Sequence, residues 1–275
     1  MEPKTFPITD DHIHINPVSG RGVLAAEDFF RAGGTHMFCV TLPSWSFGIT
    51  PLSGEDFRKV FEINEDVCKK IKKAGICAFP VMGVHPAELT KLAESVPLLR
   101  AEEILKDGIS VAAEFVKEGR AVALKSGRPH YPVSDEIKEA SDRILLHALN
   151  LSKDLDCALQ IHAETGPCTD IYETAVKMNI KPYRVVKHFA AADTPLMPSV
   201  LAKSDDIPKL AREMREFTME SDYMDDLSRP GSVIGPKSVP RFTKKLLLSG
   251  ALSEEDVFRI HKKTPEKVYG VEIDL

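Results

Sequence analysis

Two histidines near the start of the chain, His12 and His14, are two residues apart in a β-rich segment. Side chains alternate along a strand, so both imidazoles would lie on one face and could hold one cation. Neutral imidazole is a good ligand for zinc and iron. A pair of this kind alone is more often structural than metal-binding, so further ligands are needed.

Three more residues with metal-binding side chains stand where later β-rich runs end: His162, His188 and Asp222. Chance placement of all five residues at strand ends is improbable, so the pattern predicts a metal site. The prediction requires that these strand ends meet in space. The elements between them decide whether they do.

Short apolar runs alternate with segments of helical spacing along the whole chain. The runs predict eight strands, at Ile8–Ile15, Thr35–Thr41, Ile76–Gly83, Ala121–Lys125, Cys157–Ala163, Arg184–Phe189, Ser199–Ala202 and Phe217–Asp222. The helical patterns begin at Phe57, run from Pro97 to Val116 and from Ser134 to about Lys153, begin again at Ser204, and cover Val239–Ser249 and Glu254–His261.

Eight strands alternating with helices over 275 residues predict a (β/α)8 TIM barrel formed by one domain, residues 1–275. Strand seven is the weakest assignment because only a short connection precedes it, and a seven-stranded variant or a doubly wound sheet is the alternative. In a TIM barrel the active site lies at the carboxyl ends of the strands. Closure also brings strand eight beside strand one, so we expect Asp222 next to His12 and His14.

The composition is that of a globular protein, with 43% hydrophobic and 28% charged residues. A net charge of −5 gives no overall basic surface for nucleic acid. Five cysteines without a CxxC pair argue against a disulfide framework and favour a cytoplasmic protein. The first residues lack the apolar core of a secretory signal, and no run has the length and apolarity of a membrane helix.

Several short motifs resemble, in order and spacing, those of the TatD-like hydrolases of the amidohydrolase superfamily. The closing segment, residues 264–270, is also similar to the usual C-terminal segment of that family. The motifs are Asp11-His12-Ile13-His14, Gly83-Val84-His85-Pro86, Ile161-His162-Ala163-Glu164, Lys187-His188-Phe189 and Glu220-Ser221-Asp222.

The resemblance implies a metal-dependent hydrolase on a TIM barrel, often with two divalent ions, in a family whose members are frequently described as deoxyribonucleases. It implies that His12 and His14 bind one ion and that His162 and His188 bind the other. Asp222 would bind the first ion and accept a proton from the nucleophilic water. Zinc is the expected metal, with manganese, cobalt, iron or magnesium as alternatives.

The chain departs from the family at the residue that bridges the two ions. The family has a glutamate there, in a Glu-Ile-Gly motif, whereas alignment on Gly127 gives Lys125-Ser126-Gly127 here. An ammonium group would be repelled strongly by two dications. Three interpretations follow: Lys125 is carboxylated and bridges as an anion, it stays an ammonium and replaces one ion, or the site has lost catalysis. We favour the carboxylated lysine, as in phosphotriesterase-like members of the superfamily.

Three residues near the predicted strand ends are candidates for substrate contacts. His85 follows strand three, and the resemblance supports its role. Arg128 and His130 follow strand four and could bind a phosphate or carboxylate. For Arg128, pairing with an acidic neighbour is an equal alternative.

The sequence therefore predicts a binuclear hydrolase in which a metal-activated hydroxide attacks a phosphoester, such as a deoxyribonuclease. A small molecule or a short nucleic acid is the expected substrate, and no membrane partner is expected. Two alternatives stay open. One is a lactone, ester or amide hydrolase of phosphotriesterase-like character, and the other is an inactive barrel that binds metal or ligand.

Overall fold

The computed structural model describes residues 6–229 and 233–275 and is built around one sheet of parallel strands. Within these ranges the strands are β1 Thr9–His14, β2 His36–Val40, β3 Cys77–Gly83, β4 Ala123–Gly127, β5 Ala158–His162, β6 Val185–Lys187, β7 Met197–Leu201, β8 Thr218–Glu220 and β9 Tyr223–Met224. They pair in sequence order from β1 to β8, and β9 lies on the other side of β1. The first residues of the chain, on which the expectation of no signal peptide partly rests, lie outside the described residues.

The sheet closes on itself because β8 and β9 belong to one strand that is interrupted at Ser221 and Asp222. The first part, β8, pairs with β7, and the second part, β9, pairs with β1. Every pairing is parallel. The predicted (β/α)8 barrel is thereby confirmed, with its eighth strand in two pieces.

Helices cover the outside of this barrel and one of its ends. In the described ranges they are α1 Val23–Arg31, α2 Phe57–Lys73, α3 Ala87–Leu92, α4 Leu98–Lys117, α5 Asp135–Asp154, α6 Thr169–Lys177, α7 Ile207–Arg212, α8 Ser238–Leu248, α9 Glu254–Phe258 and α10 Thr264–Tyr269. Each of them is too short or too polar to cross a lipid bilayer. The five cysteines are all free.

The predicted helices are found with small changes in their bounds, and four helices were not predicted from the sequence: α1, α3, α6 and α10. The last predicted helix, Glu254–His261, ends as an α-helix at Phe258 and continues as a wider π-helical turn over Arg259–Lys263. The short connection before β7 is confirmed, since residues 188–196 contain no helix.

Three predicted strand ends were wrong by two residues. Strand six was expected to reach Phe189 but ends at Lys187. Strand four was expected to end at Lys125 but continues to Gly127, because Lys125 and Ser126 are buried polar residues in a strand that the apolar pattern could not follow.

Strand eight was expected to reach Asp222 but is interrupted after Glu220. Asp222 has a φ of 44°, a left-handed value that residues in a regular strand do not adopt.

The last helix closes the amino-terminal end of the barrel. Val268 and Tyr269 of α10 pack against interior residues of β2, β4, β5 and β6. The Tyr269 hydroxyl donates to Asp11 Oδ2 at 3.1 Å and accepts from Gln160 Nε2 at 2.8 Å. The end of the chain therefore supports the interior residues that lie directly below the carboxyl ends of the strands.

Gly127 allows β4 and β5 to approach closely where both strands reach the mouth of the barrel. It pairs with His162, and its φ is 155°. A Cβ atom at this position would lie 1.9 Å from the carbonyl oxygen of His162. A side chain here would therefore push the two strands apart beside His162.

We expect Gly127→Ala to lower the free energy of unfolding by about 3 kcal/mol, because the added methyl group cannot be accommodated without moving backbone. The matched control is Gly119→Ala, whose φ of 72° is also positive but whose Cβ would meet no atom within 4 Å. It should cost about 1 kcal/mol from backbone strain alone. Urea denaturation measures both values, and equal losses would contradict the steric argument.

Candidate metal centre

The carboxyl ends of the strands bring the predicted ligands together around one cavity. This cavity has a volume of about 290 Å³. Its lining includes six of the predicted site residues, namely His14, His85, Lys125, His162, His188 and Asp222. His12 lies directly beneath it and is fully buried. Residues from β1, β4 and β5 and from the segments after β3, β6 and β8 thus meet at the mouth of the barrel.

The tightest group of possible ligand atoms joins the two ends of the sheet. One atom each from His12, His188 and Asp222 lies within 4.8 Å of the others. The rings of His12 and His188 stack with their centroids 4.1 Å apart, and Asp222 Oδ1 lies 3.7 Å from His14 Nε2. This group crosses the two predicted pairs, because His12 and His188 were assigned to different ions.

The break in strand eight directs Asp222 into this group. Its backbone N–H donates to the carbonyl oxygen of His12 at 2.9 Å, and the N–H of Ser221 donates to Asp10 Oδ1 at 2.9 Å. A non-glycine residue at positive φ costs about 1–3 kcal/mol, so these contacts must hold the turn in place. The strain is located at a residue that faces the cavity.

Hydrogen bonds fix the orientation of two imidazoles. His14 Nδ1 lies 2.9 Å from the carbonyl oxygen of Val40, to which it can donate, so that Nε2 is left with a lone pair toward the cavity. His188 Nε2 lies 2.7 Å from His162 Nδ1, whereas its buried Nδ1 has no hydrogen-bond partner among the described residues and lies 3.5 Å from Glu220 Oε1. Partners of this kind set the tautomer of a metal-binding histidine.

Glu220 lies at the candidate site and has no role predicted from the sequence, although it belongs to the Glu220-Ser221-Asp222 motif. Its carboxylate is completely buried, and it accepts hydrogen bonds from Ser199 Oγ at 2.5 Å and from the Phe189 N–H at 2.7 Å. These contacts hold it beside His188. The signal that could have identified it is a carboxylate inside a strand whose other residues are apolar or neutral.

The buried histidines are neutral near pH 7, which is the form that binds metals. Burial, with the nearby Lys125 amine, lowers the pKa of His14 to about 3. The same two causes, in the same order, lower the pKa values of His12, His85 and His188 well below the usual range. The pKa of His162 is lowered by burial first and by His85 next.

Lys125 lies among these histidines. Its side chain is 2% exposed, and Nζ lies 3.5 Å from His12 Nε2. Burial lowers the pKa of this amine to about 7, with the negative charges of Asp222 and Glu220 opposing the decrease. Burial raises the pKa of Asp222 to about 7, and Lys125 opposes that rise.

This donor set fits a divalent cation. His12 Nε2 and His14 Nε2 lie 3.2 Å apart, and both rings are neutral, so at most one of the two nitrogens can carry a proton toward the other. A carboxylate oxygen of Asp222 completes the cluster. Several lone pairs thus face one another in a buried space, and a cation would satisfy all of them.

One of the predicted substrate contacts, His85, lines this cavity, and another, His130, contacts His162 beside it. The ring of His85 is 4.7 Å from that of His162. His130 is exposed, and its Nδ1 lies 2.5 Å from His162 Nε2. Trp45, from the loop after β2, lines the same cavity.

Arg128 does not reach the cavity, so its predicted substrate contact lacks support here. Its guanidinium donates to Glu164 at 2.8 Å, to Asp170 at 2.6 Å and to Asp142 at 3.3 Å. It lines a separate depression between α5 and α6. The alternative of pairing with acidic neighbours is therefore the one that the structure contains, and Glu164 is taken up by the same pairing.

Comparison with solved structures shows the same fold in several hydrolases. A double mutant of organophosphorus hydrolase from Deinococcus radiodurans has a TM-score of 0.62 and 12% identity, over 97% of this chain and 93% of that one. A mutant of a PTE-like lactonase from the same organism has a TM-score of 0.61 and 12% identity, over 97% of both chains. A 5-methylcytosine deaminase from Klebsiella pneumoniae, liganded with 5-fluorocytosine, has a TM-score of 0.56 and 12% identity. The match covers 96% of this chain and 74% of that one.

Comparison by sequence identifies the family. The uncharacterized protein MJ1127 of Methanocaldococcus jannaschii is 36% identical over 99% of each chain. The family profile described as TatD related DNase matches residues 9–270, which span the barrel from β1 to the end of α10. The chain belongs to this TatD-related family of metal-dependent hydrolases.

Proposed function

We propose that this protein is a binuclear metal hydrolase that cleaves phosphoester bonds in small molecules or at the ends of short nucleic acids. The observation that carries the proposal is the convergence of four strand-end histidines, Lys125 and Asp222 on one cavity. Family membership supports hydrolysis and argues against an inactive binding barrel. The five free cysteines support a cytosolic location.

His12, His14 and Asp222 would hold one divalent ion, and His162 and His188 the other, with zinc as the expected metal. When bound, such ions lower the pKa of a water molecule to about 7 and polarise the bond under attack. The carbonyl oxygen of Val40 keeps His14 oriented for this task.

Lys125 would join the two halves of the site as a carboxylated lysine. Its neutral amine forms a nitrogen–carbon bond to carbon dioxide and releases one proton, which leaves an anionic carbamate. Burial supports this step because it lowers the pKa of the amine to about 7, so that much of it is neutral at physiological pH. The product replaces a cation beside Asp222 by an anion with two oxygens, which suits two neighbouring dications.

Asp222 would take up the proton that the attacking water loses. The carboxylate lines the cavity and would lie beside the attacking water, within reach of its proton. The left-handed turn at this residue fixes its position toward His14.

The dimensions and charge of the site favour a short substrate. A cavity of about 290 Å³ is at the low end for small-molecule sites and accepts one ester group with its immediate neighbours. A net charge of −5 gives no extended basic surface for duplex DNA. His85 and His130 would contact the substrate beside His162.

A lactone or other carboxylic ester is the second candidate substrate. The lysine at the position of the usual bridging glutamate favours it, because the resemblance ties such a lysine to phosphotriesterase-like proteins. A PTE-like lactonase is also among the structures with this fold.

Asp222→Asn should lower kcat at least about 100-fold, because it removes the proton acceptor while keeping an oxygen ligand. Metal content, measured by plasma mass spectrometry on the same sample, should stay at two ions per chain. Asp154→Ala, in an exposed position at the end of α5, is the control and should behave as wild type. Turnover near the wild-type rate in metal-loaded Asp222→Asn would rule out this role.

Lys125→Met should lose one of the two ions, and its turnover should fall by more than the ~100-fold that loss of an outer-shell partner costs. Lys125→Glu supplies a carboxylate directly and should bind two ions again. Wild-type protein equilibrated with ¹³C-bicarbonate should show a carbamate signal that Lys125→Met lacks. Two ions and full activity in Lys125→Met would contradict a bridging role.

A chelator should abolish hydrolysis, and added zinc should restore it. We expect the restored enzyme to have a higher kcat/KM for bis(p-nitrophenyl) phosphate or a short single-stranded oligonucleotide than for γ-butyrolactone. The opposite order would move the assignment to the second candidate. Activity that survives complete metal removal would contradict both.

A further inference from the structure

The helical layer around the barrel has an opening between β6 and β7. Residues 188–196 connect these strands without a helix, whereas helices follow the other strands on the outside of the barrel. A cavity of about 370 Å³ lies at this opening, between the start of α7 and the loop that precedes α6. Its volume falls within the range of small-molecule sites, about 300–1,000 Å³. It is lined by the ends of β6 and β7 and by the segments after β5, β6 and β7, so it lies at the same end of the barrel as the metal centre, but the two cavities share no lining residue.

Lys187 lies at the inner end of this cavity without a partner. The side chain is 2% exposed, and its amine makes no hydrogen bond or ion pair with any of residues 6–229 or 233–275. Burial raises the pKa of the Cys168 thiol, and the positive charge of Lys187 opposes this increase. Lys187 therefore lies close to the loop before α6.

The Lys187 amine is not enclosed by protein: it keeps contact with solvent in the cavity, where water solvates the charge until an anion replaces it. The carboxylates that line the cavity do not pair with this amine. Asp206 Oδ2 accepts from the N–H of Ala192 at 3.3 Å, and Asp205 is exposed at the rim. The charge of Lys187 is thus left for something that enters the cavity.

The remaining lining is suited to a small molecule with an apolar body. Phe189 is 52% exposed and is held at a φ of 52°, a strained value for a large residue. Ala190 and Leu201 extend this apolar wall. The backbone N–H of Gly166, on the opposite loop, donates to no group among the described residues and is free to bind an anionic oxygen.

We propose that this cavity binds a small molecule that carries an anionic oxygen group, a carboxylate or a phosphate, with Lys187 as its counter-ion and Phe189 against its apolar part. The site is separate from the metal centre, and the proposal does not depend on the proposed phosphoester chemistry.

Calorimetric titration of the metal-loaded enzyme with benzoate and, separately, with inorganic phosphate tests the proposal. Either probe can also bind at the metals, so the decisive comparison is between variants. Lys187→Met keeps the length of the side chain without its charge and should remove one binding site, with at least a tenfold loss of affinity there. Lys209→Met, an exposed lysine of α7, should leave binding unchanged.

A melting curve without ligand gives an independent readout. Lys187→Met should leave the Tm of the unliganded protein within about 2 °C of wild type, because the amine is solvated in the cavity and its loss breaks no contact with protein. Benzoate should raise the Tm of wild type more than that of Lys187→Met. Three results would overturn the proposal: equal binding by wild type and Lys187→Met, no second site for either probe in wild type, or a Tm of unliganded Lys187→Met that lies further below wild type than this, which would mean that the ammonium has a structural partner.

Discussion

Closure of the barrel between its first and last strands is the interaction on which the whole site depends. The N–H of Asp222 donates to the carbonyl oxygen of His12, and β9 pairs with β1 directly after it. Without this closure, residues 12 and 222 would lie at opposite edges of an open sheet. The same bond holds the left-handed turn that directs the Asp222 carboxylate into the cavity. Fold and site are therefore determined by one contact.

The sequence was sufficient for the barrel architecture and for the candidate ligands at the ends of strands. Alternation places His12 and His14 on one face, and His162 and His188 stand where apolar runs end. Pairings between side chains on different loops leave no such pattern. The hydrogen bonds from Arg128 to Glu164 and Asp170 are an example, because they depend on the positions of the segments after β4 and β5. The contact between Glu220 and His188 likewise needs β6 and β8 in place.

Two lysines of this structure, Lys125 and Lys187, are buried to the same extent, but their surroundings differ. Lys125 is surrounded by neutral imidazoles and two carboxylates, and burial lowers the pKa of its amine into the range where it can react with carbon dioxide. Lys187 instead lies at a second cavity, where the missing helix after β6 leaves space for a ligand. One position thus favours covalent change of the lysine and the other favours binding of an anion.

A crystal structure of the metal-loaded protein, with anomalous data collected at the zinc edge, tests the central claim most directly. We expect two anomalous peaks at the mouth of the barrel, one beside His12, His14 and Asp222 and one beside His162 and His188. We also expect density for a carboxylate on the Lys125 nitrogen between them. A single peak beside a plain lysine amine, or no peak among these residues, would contradict the binuclear centre.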